Sequence, residues 1–108
     1  MNRERLQTLR AFLDELPDGH YEHAVMRPEC GSACCSLGHC PAIFTDEWPV
    51  PQGCSLTTII AQFAFAEAFF ELNTRQSQDL FGVLSSEIDG RMNPTRAQMV
   101  ARLDRFLS

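Results

Sequence analysis

The segment Leu56–Leu72, "LTTIIAQFAFAEAFFEL", decides the fold. Leu56, Ile59, Ile60, Phe63 and Phe70 share one face at helical spacing. Phe65, Phe69 and several alanines widen that face until little polar surface remains. A helix that is apolar nearly all round is expected at the centre of a core. Four of the eight phenylalanines lie here, so the core is placed here. The β-branched start, Thr57 to Ile60, also fits a strand, and residues 55–60 stay open between the two.

Helical patterns flank this segment on both sides. Leu6, Leu9, Phe12, Leu13 and Leu16 recur at three- and four-residue steps, and Pro17 with Asp18-Gly19 ends the run. Ser32 is placed to cap a short helix through "ACCSLGHC", with Pro41 just beyond. "HYEHAVM" reads weakly as an extended segment, "TDEWPVPQG" as a loop, and "SSEIDGRMN" as another loop. Thr74 is expected to cap a helix carrying Leu80 and Phe81, with Gly82 at its C-terminal end. Thr95 and Gln98 have capping-box spacing, and Met99, Val100, Leu103, Phe106 and Leu107 form the stripe of a last helix. The expected fold is all-α: one compact domain over residues 1–108, about five helices around a Phe-rich central helix.

A chain of 108 residues can bury a core without metal or disulfides. No apolar run spans a bilayer, and "MNRERLQTLR" lacks the apolar region of a signal peptide, so a cytoplasmic protein is expected. Nine arginines face fourteen acids, and lysine does not occur. From Ala11 to Asn73 nine acids face the single base Arg27, a local net charge of −8. Such a surface repels phosphate backbones and attracts basic ones. Direct nucleic-acid binding is therefore not expected. A partner protein with a basic surface is, and Asp14, Glu15, Asp18, Glu22, Asp46 and Glu47 would meet it. Trp48, between acids and "PVP", is either a lid over the core or an apolar anchor in that interface. A solvated acidic face that only aids solubility is the plainer alternative.

"CGSACCSLGHC", Cys30 to Cys40, allows three chemistries. The first is zinc: Cys35 and His39 would lie four apart on a helical face, with Cys30 and His23 completing the set. No paired C-x2-C knuckle supports that reading, and the metal would serve folding only. The second is a reactive thiol, with Cys35 near a helix N-terminus and His39 as its base. Neither an oxyanion hole nor an orienting third group is identifiable. The third, and preferred, reading is packing of small side chains, since free cysteine behaves as a small hydrophobe. No glycine-rich phosphate loop, Ser/His/Asp arrangement or "HExxH" is present, so neither an enzyme nor a cofactor is expected.

The same stretch resembles the Cys-Gly-Thr-x-x-Cys-x-x-Gly signature of small uncharacterised proteins encoded by phages and their bacterial hosts. Cys30, Gly31, Ser32 (where Thr is usual), Cys35 and Gly38 fall on that pattern. "FFELNTRQSQDLFG" and "NPTRAQMVARLDRFL" are similar to two further segments of that family, so about half the chain is covered. Cys34, Cys40 and Cys54 lie outside the signature. The resemblance implies no activity. It implies an accessory protein of a mobile element, of which an anti-CRISPR-type inhibitor covering a basic host surface is the most concrete form.

Overall fold

The computed structural model describes residues 1–23, 35–48, 56–83 and 86–108, with side chains of the third helix from residue 60 onward. Among the described residues five α-helices follow one another: α1 Arg3–Glu15, α2 Ser36–Ile43, α3 Leu56–Phe69, α4 Thr74–Phe81 and α5 Arg96–Leu107. A 3-10 turn over Asp18–His20 follows α1, and no strand occurs among the described residues. Each helix packs against its neighbours in the chain, and α5 closes on α1 in the most extensive contact, so the helices form a ring. The radius of gyration, 12.5 Å, is that of a compact chain of this length.

Local signals account for most of the boundaries. Asn2 caps α1 through the Arg5 amide, and Leu6, Leu9 and Leu13 are buried on its inner face. Thr95 and Gln98 form the expected capping box of α5. Residues 56–60 are helical, which closes the choice between helix and strand. α3 ends without glycine. The Leu72 amide reaches Glu67 O at 2.8 Å and the Glu71 amide reaches Ala68 O at 3.3 Å, which is a Schellman turn with Glu71 at φ 55°.

Three expectations need correction. α2 begins at Ser36 with Cys35 as its N-cap, three residues later than expected, and it runs through Pro41. The run of small residues ahead of it gives no periodicity that would fix a start. Burial of Leu37 and Cys40 holds the helix across a proline that costs one internal hydrogen bond. The cap of α4 is Asn73, one residue before Thr74, in a capping box with Gln76. Gly82 does follow α4, but in extended conformation at φ −71°. Glycine is needed there because a Cβ would come within 2.6 Å of Gln78 O. The expectations for Arg27, Glu29, Cys30, Ser32, Cys34, Cys54 and the "PVP" loop lie outside the described residues.

The aromatic cluster is buried: Phe65 and Phe69 of α3 and Phe70 just past its end meet Phe44, Trp48 and Phe81. Trp48 packs edge-on against Phe65 at 4.8 Å and Phe69 at 5.1 Å. Phe44 meets Phe69 at 4.8 Å, and Phe70 meets Phe81 at 5.7 Å. α3 is one member of the ring, and its aromatic side chains fill the middle. Its other side, Ile60, Ala61, Ala64 and Ala68, is exposed.

Candidate functional site

Arginine placement governs the surface. Four arginines reach the C-terminal carbonyls of four different helices. Arg3 donates to Leu107 O of α5. Arg5 donates to Phe69 O of α3 at 2.8 Å, with its guanidinium 4.0 Å from the Phe69 ring centre. Arg96 donates to Leu13 O and Asp14 O of α1 at 3.0 and 3.1 Å. Arg102 makes a longer contact, 3.5 Å, to Leu80 O of α4. A helix C-terminus carries unpaired carbonyls and the negative end of the dipole, and a guanidinium satisfies both.

Arginines also pair with acids. Arg5 meets Glu47 at 3.2 Å, Arg96 meets Asp18 at 2.8 Å, and Arg10 bridges Asp14 at 3.4 Å and Asp104 at 2.9 Å. Arg75 pairs with Glu87. Asp104 is held below the usual carboxylate range by its hydrogen bond from Arg10. The six acids expected to meet a partner are all exposed, yet Asp14, Asp18 and Glu47 have intramolecular arginine partners. Glu15, Glu22 and Asp46 have none among the described residues. The six also divide in space. Glu47 is tied to Arg5 in the first turn of α1, while Asp14 to Glu22 lie around its last turn, roughly 14 Å of helix rise away.

Trp48 is not an exposed anchor. It is 3% exposed, and its Nε1 donates to the buried Gln62 Oε1 at 2.9 Å. The lid reading of Trp48 describes its position. His23, a candidate metal ligand in the sequence, is 2% exposed with both ring nitrogens engaged. Nε2–H donates to Gly82 O at 2.9 Å, and Tyr21 O–H donates to Nδ1 at 2.8 Å. Gly82 O can only accept, which fixes this tautomer. Ser36 Oγ lies 3.3 Å from the Tyr21 hydroxyl and continues the chain into α2. Burial pushes the His23 pKa down and the Tyr21 pKa up.

Cys35 and Cys40 are buried. Cys40 Sγ donates to Ser36 O at 3.3 Å. Burial pushes the Cys35 thiol up, opposite to what a nucleophile at a helix N-terminus needs. His39 Nε2 donates to the His20 carbonyl at 2.7 Å, and its ring lies 5.6 Å from that of Phe12. Among the described residues no three His, Cys, Asp or Glu side chains group as a metal site. No helix among them is long and apolar enough to cross a membrane.

A groove of about 390 Å³ opens between the Tyr21–His23 segment and the start of α5. Asp18, Glu22, Asn93, Pro94, Thr95, Arg96 and Ala97 complete its lining. No sequence pattern marked it, because its two walls lie some seventy positions apart. No family model, curated protein or solved structure matches the chain.

Proposed function

We propose that the protein is a non-enzymatic binding protein that presents exposed carboxylates at the last turn of α1, with Glu15 and Glu22 foremost, to a basic surface of a partner protein. One observation carries this reading: the positive charge is largely tied up in intramolecular pairs. Arg3, Arg5, Arg96 and Arg102 go to helix carbonyls, and Arg10, Arg75 and Arg105 to acids. What remains outward is an excess of carboxylates with no lysine to offset it. Such a surface steers basic proteins and repels nucleic acid. The resemblance to phage and host proteins suggests the setting, an accessory protein of a mobile element acting in the cytoplasm. An anti-CRISPR-type inhibitor that covers a nucleic-acid-binding surface fits this chemistry.

The test is capture of a basic protein from bacterial lysate, with Glu15→Arg and Asp46→Arg compared separately. Capture should weaken with salt and with Glu15→Arg at unchanged melting temperature, and DNA and RNA should give no gel shift. Capture indifferent to salt and to both reversals overturns the proposal.

A further inference from the structure

We propose that the groove beside α5 receives one arginine side chain of the partner protein, a reading that rests on the binding function above. Its floor is made by Tyr21 and His23, whose polar atoms already bond to each other, to Ser36 and to Gly82 O. Both are buried, Tyr21 at 8% and His23 at 2% exposure, so they back the groove and offer a ligand no free polar atom. Pro94 and Ala97 add apolar wall. Arg96 also lines the groove, but its guanidinium is committed to Asp18, Leu13 O and Asp14 O. Glu22 lines it as an exposed carboxylate without an ion pair among the described residues.

A mixed wall, Asn93 and Thr95 beside Pro94 and Ala97, with an unengaged carboxylate suits a cation on an aliphatic stem, and disfavours an anion. A planar guanidinium fits better than an ammonium, because it can bond a carboxylate through two donors. The volume is at the small end for ligand sites, which suits one side chain better than a large cofactor.

The probe is the peptide acetyl-Gly-Gly-Arg-Gly-Gly-amide, titrated into the ¹⁵N-labelled protein. Its neutral counterpart carries citrulline in place of arginine, and a third carries lysine. The arginine peptide should give saturable shifts at the amides of Glu22, Asn93 and Ala97, stronger than lysine, with none from citrulline. Glu22→Gln should weaken binding at least fivefold and Glu15→Gln less than twofold. Ala97→Trp, at an exposed position, should block the groove without lowering the melting temperature. Equal binding of the citrulline or lysine peptide, shifts centred on Asp46 and Glu47, or no effect of Ala97→Trp overturns the assignment. If Ala97→Trp has no effect while Glu15→Arg still abolishes capture of the basic partner, the groove assignment fails and the binding function stands. If capture ignores the reversals as well, both fail.

Discussion

Arg102 and Asp89 form a two-pronged ion pair in the interior, with Nε 3.1 Å from Oδ2 and Nη2 2.8 Å from Oδ1. Arg102 is 0% exposed, and its Nη2 also donates to Arg91 O at 2.8 Å. Arg105 adds a contact to Asp89 Oδ2 at 3.1 Å, and the Arg91 amide donates to Oδ1 at 3.0 Å. The pair fastens the loop before α5 onto α5 and the end of α4.

Asp89→Ala leaves the Arg102 charge buried without a counter-ion, and breaking such a pair costs about 3–5 kcal/mol. The double variant Asp89→Leu with Arg102→Met removes both charges and should be less destabilised than Asp89→Ala in urea melts. Burial opposes the Asp89 carboxylate, but the bonds and charges of Arg102, the Arg91 amide and Arg105 outweigh it and hold its pKa below the usual range. The unfolded chain takes up that proton near pH 3.9 while the folded one does not. The contribution is complete above that pH and is lost as pH falls through the folded value. A double variant as unstable as Asp89→Ala would show that the pair is not the cause.

His23 gives a second pH dependence, in a higher window. Its pKa is lowered by burial first, with the Gly82 carbonyl opposing and the Arg102 charge adding. Tyr21, Glu22, Asp89 and Arg102 are the ionisable groups that act on it. The unfolded chain binds a proton near pH 6.5 where the folded one stays neutral, so stability is complete above that pH and falls as pH drops toward the folded value. Thermal melts between pH 7.5 and 5.5 should show this slope in the parent protein and a flatter one in His23→Gln. A slope unchanged by His23→Gln assigns it to other groups.

Trp48 is the only tryptophan, so its fluorescence reports on the aromatic cluster alone. Emission should be blue-shifted and shielded from acrylamide, and Trp48→Ala should cost about 3–5 kcal/mol. Red, freely quenched emission would restore Trp48 as a surface residue.

Phe70 and Phe63 separate two views of α3. A helix buried all round would make Phe63→Ala a full core deletion. In the ring of helices Phe70 is 0% exposed and Phe63 only partly covered. Phe70→Ala should cost about 3–5 kcal/mol and Phe63→Ala clearly less. The reverse order in denaturant melts would return Phe63 to the centre.

The helices were legible where a stripe or a cap repeats over three turns, as with Leu6, Leu9 and Leu13 or the Thr95–Gln98 box. The start of α2 was not, because small residues carry no period. The pairing of the acids was not legible in the charge pattern, for a physical reason. Arg5, Arg10 and Arg96 lie outside the acidic window in sequence, yet the ring brings them onto Glu47, Asp14 and Asp18. Arg102, flanked by Ala101 and Leu103 in an amphipathic helix, reads as a surface charge. Only the return of Asp89, thirteen positions earlier, makes its burial tolerable.

Arg96 tests why the chain uses arginine and no lysine. Its Nε bonds Asp18 at 2.8 Å while Nη1 bonds Leu13 O and Asp14 O, so one side chain joins an acid and two carbonyls in a fixed plane. An ammonium on a flexible stem is a compact charge without that fork. Arg96→Lys should therefore lose at least one of these bonds and destabilise by about 1 kcal/mol, with fraying of the last turn of α1. Amide exchange should rise at Leu16, whose amide donates to Leu13 O. Arg91→Lys is the control, since Arg91 is exposed and serves Asp89 and Arg102 through its backbone. It should shift stability by less than about 0.5 kcal/mol. Equal effects of the two substitutions would mean that charge alone matters at Arg96, and that the fork geometry adds nothing.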